Sequence, residues 1–396
     1  MSTRNLLLKL LLLVQLVLLV LLACRRHRTI FARGRWSRIL ILPILASPLA
    51  ALADPIYSMT FLPKDFNASA MNNAGRIVGS NANGAAVWST AGVTDIGGIA
   101  PGSEGQAINN RGEIGGTWEG DAFAYSPAAF RNIGRLGNWN TSQISAMNDV
   151  GQMAGNAQYM AGERQRGFVY SDGEIRIIPT LGGDWSFATA INNPGQTVGI
   201  ATIDSTDFMD PTRHAMMYQD RVMHDLGSLG GLISEAYDIN DAGQIVGMSE
   251  TTPDFKSGEP HAFLYEDGAM RDLGLLGGVR ARARGINSSG LIVGESEWSN
   301  NSPFDNHAFL YSNHSMVDLN DLIDPVAGWH LTSARDINDS RQILSLACSD
   351  TGCAWVRLDL ISAIPEPRVW GMMLAGLVLM ASSRRRPGPI LNQRLS

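Results

Sequence analysis

The segment Ile239-Asn240-Asp241-Ala242-Gly243-Gln244-Ile245-Val246-Gly247 decides the fold, because close copies of it recur along the chain. An asparagine heads each of the seven copies, at intervals of 37 to 51 residues: Asn72, Asn109, Asn148, Asn192, Asn240, Asn287 and Asn338. Self-similarity with such a period is typical of a propeller, a solenoid or another repeat array.

Each copy predicts a β-hairpin. Apolar residues precede the asparagine and a Gln-Ile-Val-Gly-like segment follows the glycine, and both patterns favour strands. The asparagine side chain can fold onto the backbone two residues on, and the glycine takes a positive φ without steric cost. A tight turn therefore explains both residues without a catalytic role. The seventh copy has Arg341 in place of the glycine, and terminal repeats are often atypical.

Each repeat has a second half that also predicts two strands. In the fifth repeat it runs from His261 through Phe263 to Tyr265, turns at Asp267-Gly268 and ends near Gly274. Related segments lie at 122–125, 167–170, 214–218 and 307–311, with weaker versions at 86–88 and 354–355. Four short strands in roughly 40–50 residues match one propeller blade. We therefore predict an all-β fold, a seven-bladed β-propeller built from four-stranded repeats over residues 54–360.

Two features at the ends of this domain predict a closed ring. A lone strand, residues 56–62, precedes the first repeat, and the last repeat has no fourth strand after Leu358. Because an unpaired sheet edge is a liability, we expect the N-terminal strand to complete the last blade.

The paired motifs resemble those of the bacterial HAF-repeat, or extracellular-repeat, proteins. The likeness spans about residues 65–360 and depends on His-Ala-Phe-Leu-Tyr together with Ile-Asn-x-x-Gly-x-Ile-Val-Gly. It implies a repeat architecture in an exported protein, and it implies no particular activity.

Composition limits the classes of partner. The chain has 396 residues, of which 45% are hydrophobic and 17% charged, and its formal net charge is −6. Such a chain can bury a large core. No basic stripe is visible, so we predict no nucleic-acid partner.

Residues 1–53 predict an N-terminal apolar segment plus a secretory signal peptide. A charged region with Arg33, Arg35 and Arg38 precedes an apolar run, residues 39–49, and Ala51 and Ala53 form a small-residue cleavage site. We expect passage through the Sec translocon and a mature protein that begins at Asp54.

The earlier apolar run, residues 6–23, leaves three interpretations open. It is long enough to span a bilayer and so to be a membrane helix. It is also explained by a start codon that lies upstream of the true one. A third interpretation takes Leu21-Leu22-Ala23-Cys24 as a lipoprotein box.

Residues 361–396 resemble the PEP-CTERM sorting signal. Pro365, Glu366 and Pro367 precede an apolar helix predicted at about 369–383, and Arg384, Arg385 and Arg386 follow it. The resemblance implies cleavage by an exosortase-type membrane protease. It also implies an inner-membrane intermediate and final transfer to the cell surface or extracellular matrix of a Gram-negative bacterium. The alternative is a plain C-terminal membrane anchor.

Long loops between the second and third strands are predicted in repeats three to six, and insertions on one face often mark a binding face. They contain carboxylates, namely Asp204, Asp207, Asp210, Glu250, Asp254, Glu259, Glu295, Glu297 and Asp305. Tryptophans are expected on the same face: Trp118, Trp139, Trp185, Trp298 and Trp329. Together they could hold a sugar or a calcium ion. The alternative is a solvated acidic rim with tryptophans packed between blades.

Histidines and cysteines complete the candidate groups. His214, His261 and His307 occupy equivalent places in three repeats, which puts them on a ring and not in a metal cluster. We predict no catalytic residue, cofactor or metal, since no nucleophile elbow, phosphate loop or zinc motif is present. Cys348 and Cys353 flank a short hairpin, where we predict a disulfide, and two buried free thiols are the alternative.

The sequence as a whole favours an exported, surface-sorted, non-enzymatic repeat protein that binds exopolysaccharide or another envelope component. The alternative is a secreted polysaccharide-acting enzyme that uses carboxylates on the long-loop face.

Overall fold

The computed structural model describes residues 56–96, 102–137, 139–159, 164–203, 212–253, 259–299, 305–324, 326 and 328–362. Over these ranges the chain forms seven separate four-stranded antiparallel sheets. Residues Ile56–Ile361 make one compact unit. The predicted all-β, seven-bladed propeller of four-stranded blades is confirmed.

Blades 1 to 3 follow the repeat in simple order, each running from its innermost to its outermost strand. Blade 1 contains β2 (Asn67–Met71), β3 (Ile77–Asn81), β4 (Gly84–Ser89) and β5 (Gly92–Asp95). Blade 2 contains β6 (Glu104–Ile108), β7 (Ile114–Trp118), β8 (Asp121–Ser126) and β9 (Ala129–Gly134). Blade 3 contains β10 (Thr141–Met147), β11 (Met153–Tyr159), β12 (Arg164–Ser171) and β13 (Glu174–Ile177).

Blades 4 to 6 repeat this order. Blade 4 contains β14 (Ser186–Ile191), β15 (Thr197–Thr202), β16 (Arg213–Gln219) and β17 (Val222–Asp225). Blade 5 contains β18 (Ser234–Ile239), β19 (Ile245–Glu250), β20 (Pro260–Glu266) and β21 (Ala269–Asp272). Blade 6 contains β22 (Ala281–Ile286), β23 (Ile292–Glu297), β24 (Asn306–Ser312) and β25 (Ser315–Asp318), and a 3-10 turn (Leu319–Leu322) follows it.

Blade 7 closes the ring with both ends of the domain. It contains β26 (His330–Ile337), β27 (Ile343–Ser349) and β28 (Gly352–Ser362), and β1 (Ile56–Phe61) pairs with β28 as the fourth strand. The Leu62 amide donates to the Trp355 carbonyl at 2.9 Å, which extends this pairing. The expectation that the N-terminal strand completes the last blade is therefore confirmed.

The hydrophobic core lies between blades. Each of the seven neighbouring pairs shares one apolar cluster among the described residues. The aromatic residue of the third strand is fully buried in four blades: Phe123, Phe168, Phe263 and Phe309. Packing between sheet faces thus holds the ring together, with apolar burial as the main driving force.

In blades 1 to 6 the glycine of the Ile-Val-Gly segment is required by a close approach inside the blade. A Cβ on Gly247 would lie 1.9 Å from the Glu235 carbonyl of the inner strand and 2.8 Å from the Phe263 ring. Blade 7 has Ser345 at this place, and its hydroxyl donates to the Ser333 carbonyl at 2.8 Å. There the inner strand has two register shifts, whereas the other inner strands have one. The additional bulge accompanies the larger residue in blade 7.

The connections differ between the two faces as predicted. The connections between second and third strands are short in blades 1, 2 and 7, at residues 82–83, 119–120 and 350–351. They are long in blades 3 to 6, at residues 160–163, 203–212, 251–259 and 298–305. These connections share one face, here called the long-loop face, and the Asn-x-x-Gly turns lie on the opposite face.

Several predicted segments lie outside the described residues. They are the N-terminal apolar segment and signal peptide with Ala51 and Ala53, and the sorting segment with Pro365, Glu366, Pro367, Arg384, Arg385 and Arg386. Within the described ranges, no helix is long and apolar enough to cross a membrane.

Candidate functional site

The Asn-x-x-Gly turns have the predicted local geometry. Asn240 Oδ1 accepts hydrogen bonds from the amides of Ala242 and Gln244, both at 3.1 Å, and Gly243 has a φ of +79°. Arg341 occupies the glycine position of the seventh turn with a φ of +61°, so the same left-handed conformation persists without glycine.

The seven turn asparagines also form a closed ring, which turn chemistry does not predict. Asn240 Nδ2 donates to the Asn287 carbonyl of the next blade at 3.1 Å. The other six make the same bond at 2.9–3.1 Å, and Asn338 donates to the Asn72 carbonyl to complete the circle. All seven side chains are buried. We call these residues the asparagine ring: Asn72, Asn109, Asn148, Asn192, Asn240, Asn287 and Asn338.

A second set of bonds, one residue further on, reinforces this end of the propeller. The Asn193 amide donates to Asp241 Oδ1 at 2.9 Å, and Asn193 Nδ2 donates to Asp241 Oδ2 at 2.8 Å. Similar blade-to-blade contacts join most of the equivalent positions. On the face with the turns, hydrogen bonds therefore link neighbouring blades.

An apolar collar lies next to the asparagine ring inside the central channel. It consists of the residue before each ring asparagine: Met71, Ile108, Met147, Ile191, Ile239, Ile286 and Ile337. All seven are buried. On the turn side of the collar the cavity has about 190 Å³, and on the other side it widens to about 890 Å³. The wide part of the cavity therefore lies on the long-loop side of the collar.

A ring of polar side chains lines the wide part of the channel. In every blade the inner strand has a register shift at the residue three before the ring asparagine, so that this residue is bulged. All seven bulged residues line the 890 Å³ cavity, and we call them the bulge ring: Ser69, Gln106, Ser145, Thr189, Tyr237, Arg284 and Arg335. Bulges often aim a side chain at a functional site.

The bulge ring is asymmetric, because its charged members lie in blades 6 and 7. Arg284 donates to Glu295 through Nη2 at 2.6 Å and Nε at 3.0 Å, and its guanidinium lies 4.7 Å from the centre of the Tyr237 ring. Tyr237 in turn donates to Glu235 Oε2 at 2.7 Å. Burial, and then the neighbouring Glu235 carboxylate, raises the pKa of Tyr237, so the phenol stays protonated as a donor.

Arg335 differs from Arg284 in having no carboxylate within ion-pair distance among the described residues. Its Nε donates to the Ser69 carbonyl at 2.9 Å, and its guanidinium lies 5.9 Å from the centre of the Trp355 ring. Burial in the channel wall, and then the like charge of Arg284, lowers the pKa of Arg335. The side chain still reaches channel water, and the arginine remains charged at neutral pH.

Two carboxyls lie between the bulge ring and the collar. Asp238 Oδ2 accepts from the Ile286 amide and Asp336 Oδ2 from the Met71 amide, both at 2.8 Å, so each links its blade to the next. Burial, and then the charge of Asp336, raises the pKa of Asp238 to about 7. Burial also raises the pKa of Asp336. Near neutral pH this wall therefore has less negative charge than its residue types indicate.

Among the described residues, the carboxylates singled out on the long-loop face do not form one cluster. Glu295 and Glu297 are buried, the first against Arg284 and the second 3.9 Å from Arg280. Glu250, Glu259 and Asp305 are at least partly exposed. Asp204, Asp207, Asp210 and Asp254 lie outside the described residues. In the described part of the chain, no group of three or more His, Cys, Asp or Glu side chains could hold a metal ion.

The tryptophans mostly pack between blades. Trp118, Trp139 and Trp329 lie partly buried against blade-interface clusters, and Trp329 meets Phe61 edge-on at 5.0 Å. Trp185 is also half-buried. Trp298 is 46% exposed and stacks on His307, with 4.8 Å between the ring centres. Only Trp298 among these five presents a largely open ring.

Each of the three equivalent histidines pairs with an aspartate on the fourth strand of its own blade. The Nδ1 to carboxylate distances are 2.8 Å for His214 and Asp225, 2.7 Å for His261 and Asp272, and 2.5 Å for His307 and Asp318. The pairs therefore join strands within blades.

Cys348 and Cys353 are disulfide-bonded in the structure, with 2.08 Å between the sulfurs. They are direct partners in the hairpin formed by β27 and β28. The disulfide covalently links the second and third strands of blade 7.

Sequence reasoning missed the bulge ring, although a signal for it exists. The residue three before each repeat asparagine is polar in all seven copies. A polar residue that interrupts a core strand at a fixed repeat position indicates a lumen-facing side chain.

No protein-family model matches the chain, and neither does any curated protein. Similar solved structures include an oligogalacturonate lyase from Vibrio parahaemolyticus, with 10% identity over 80% of this chain and 92% of that one and a TM-score of 0.49. The β-propeller domain of the Trilobed protease from Pyrococcus furiosus has 9% identity over 76% and 99%, with a TM-score of 0.45. A sialidase from Trypanosoma rangeli has 8% identity over 85% and 62%, with a TM-score of 0.37. Such likenesses do not assign a function, because one fold hosts many.

Proposed function

We propose that this protein is an exported, surface-sorted, non-enzymatic propeller that binds exopolysaccharide or another envelope component in its central channel. The observation that supports binding is the bulge ring, which surrounds a cavity of about 890 Å³ with polar side chains. A volume of this size lies in the range of known ligand pockets, roughly 300–1,000 Å³. Hydroxyl, amide and guanidinium groups are the hydrogen-bonding partners that sugar hydroxyls require.

The test is a glycan-binding screen with the full-length protein purified in mild detergent. We expect retention on a subset of bacterial polysaccharides, without any change in the length of the bound glycan. Channel residues should govern this retention, so Gln106→Ala should weaken it, while Asn313→Asp, on an exposed turn away from the channel, should not. Failure to retain any envelope glycan would contradict the proposal.

One observation supports the alternative function, a polysaccharide-acting enzyme. Asp238, with a pKa of about 7, faces the same channel as Asp336, and a general acid needs a raised pKa. Product analysis in the same screen distinguishes the two functions. Shortened glycans that disappear with Asp238→Ala would favour hydrolysis or elimination over binding.

Export and surface sorting form the second part of the proposal, and the sequence supports them. Arg384, Arg385 and Arg386 resist translocation, since each arginine costs on the order of 3 kcal/mol at the bilayer centre on insertion scales. Pro365 and Pro367 keep the preceding segment extended, as a membrane protease would require. The proposed partners are the Sec translocon and an exosortase-type protease, and the proposed route passes through the inner membrane.

We expect mature surface material to end near Glu366 and to lack residues 369–396. Replacing Pro365-Glu366-Pro367 with alanines should trap the full-length form in the inner membrane, because the processing motif is lost while the apolar segment remains. Mass spectrometry of the surface and membrane fractions checks this result. Intact C-terminal peptides in surface-released wild-type protein would indicate a plain anchor or shedding instead.

A further inference from the structure

Two guanidinium groups face the channel from equivalent positions of neighbouring blades. Arg284 and Arg335 are both bulge-ring residues, and the charge of Arg284 acts on Arg335 across the blade boundary. Five neutral residues occupy the same position in the remaining blades: Ser69, Gln106, Ser145, Thr189 and Tyr237. Positive charge is therefore concentrated on one side of an otherwise uncharged ring.

The two arginines have different roles in this arrangement. Arg284 is committed to Glu295, which also accepts from the Ser333 hydroxyl at 2.5 Å, so that its charge is neutralised within the wall. Arg335 donates one hydrogen bond, from Nε to the Ser69 carbonyl, and it has no ion pair among the described residues. Its two terminal nitrogens are therefore left to bind a ligand. An arginine fork matches a carboxylate in two parallel hydrogen bonds.

The surroundings increase the attraction for an anion. Asp238 and Asp336, the carboxyls next to the bulge ring, have raised pKa values, so they offset less positive charge near neutral pH. The Trp355 ring, which lines the same cavity, offers an apolar face beside Arg335.

We propose that the bulge ring is a recognition site for an acidic saccharide, with Arg335 as the main ligand of a uronic-acid carboxylate. This inference rests on the proposed glycan-binding function and specifies its ligand class. The uncharged side chains of Ser69, Gln106, Ser145 and Thr189 face the hydroxyls, the Glu104 carboxylate lines the cavity beside Gln106, and Trp355 packs against a sugar ring. The apolar collar forms the floor, so the saccharide enters from the long-loop face.

The experiment measures binding of short uronic-acid oligosaccharides to the full-length protein in mild detergent by isothermal titration calorimetry. The matched ligand control is the same oligosaccharide with its carboxylates reduced to hydroxymethyl groups. We expect the reduced ligand to bind about 10- to 100-fold more weakly, as loss of a charge-assisted pair implies. Affinity for the acidic ligand should also fall as salt concentration rises.

Variants locate the site. Arg335→Gln should weaken acidic-ligand binding by about 10- to 100-fold and leave affinity for the reduced ligand nearly unchanged. Arg335→Lys should give an intermediate value, because it keeps the charge and loses the fork. Arg76→Gln, which removes an exposed arginine on the turn face, should have no effect. Thermal unfolding of each variant checks that the ring is intact, and the ligand comparison tests the proposal even where a variant does not fold.

The outcomes separate this inference from the function on which it rests. If neutral glycans bind and acidic ones do not, glycan binding stands and the acidic-ligand site is overturned. If acidic glycans bind equally to wild type and Arg335→Gln, the position of the site is overturned. If no glycan binds, both proposals fail.

Discussion

Deleting residues 54–64 is expected to abolish cooperative unfolding of the propeller. The deletion removes β1, the outer strand of blade 7, and exposes the edge of β28. It also removes Tyr57, which is fully buried in the cluster shared by blades 6 and 7. Because β1 pairs with β28 at the outer edge of blade 7 and the chain continues from it into blade 1, its loss should weaken blade 7 and both of its interfaces. Circular dichroism during thermal unfolding, with the full-length chain as reference, checks the result.

A single side chain provides a sharper version of this test. Tyr57→Ala should lower the free energy of unfolding by about 3–5 kcal/mol, the usual cost of deleting a buried aromatic ring. Tyr57→Phe is the matched control. The Tyr57 hydroxyl is buried without a hydrogen-bond partner among the described residues, and burial raises the pKa of Tyr57 to about 12. Removing that hydroxyl should therefore leave stability unchanged or raise it slightly.

Equal melting temperatures for wild type and the deletion variant would show that blades 1 to 7 close without β1. A large loss in Tyr57→Phe would show that the hydroxyl has an unrecognised partner. The first result would contradict closure by β1, and the second would contradict the account of the Tyr57 hydroxyl.

The fold was predictable because each repeat specifies its local structure unambiguously. The alternation of strand-like segments with Asn-x-x-Gly and Asp-Gly turns defines four strands, and the period defines a blade. The incomplete seventh repeat and the lone strand at residues 56–62 are complementary, so even the closure followed from the sequence. The loop lengths on the two faces could also be read from the spacing of the motifs.

The candidate site was less predictable, because it depends on geometry around the ring. The sequence predicts a set of carboxylates in the long loops, but Glu295 and Glu297 lie on β23 and are buried in ion pairs with Arg284 and Arg280. Arg335 is not in a long loop at all. Its position in the lumen results from a β-bulge, and a one-residue change of register alters which face a side chain occupies.

The asparagine ring shows how a correct local explanation can be incomplete. Turn chemistry accounts for Oδ1 of Asn240, which accepts two amides of its own turn. Nδ2 donates to Gln244 Oε1 in the same turn at 2.8 Å, but turn chemistry does not account for its second bond, to the Asn287 carbonyl of the next blade. Aspartate serves as well as asparagine in many such turns, yet all seven copies have asparagine. The amide nitrogen explains this choice, because a carboxylate could not donate to the neighbouring carbonyl.

Asn240→Asp is therefore expected to lower the free energy of unfolding by about 2–4 kcal/mol, although it preserves the shape and the turn acceptor. The change leaves the Asn287 carbonyl without its donor and places a buried carboxylate beside it. Asn313→Asp is the matched control, since Asn313 lies in an exposed turn where three other blades have aspartate: Asp172, Asp220 and Asp267. Chemical denaturation monitored by tryptophan fluorescence measures both variants.

The loss of stability in Asn240→Asp could come from the broken inter-blade hydrogen bond or from a change in the turn itself. Its pH dependence distinguishes these two causes. Burial should raise the pKa of the carboxyl introduced by Asn240→Asp in the folded state, so the folded variant binds a proton more readily than the unfolded chain. The free energy of unfolding of Asn240→Asp should therefore approach that of wild type as the pH falls below about 5. The reason is that a protonated carboxyl can again donate to the Asn287 carbonyl. An Asn240→Asp variant as stable as Asn313→Asp at neutral pH would show that the inter-blade bond adds nothing to the turn. A deficit that does not change with pH would place its cause in the turn backbone, and the closed circle of amide donors would then have no role in holding the seven blades together.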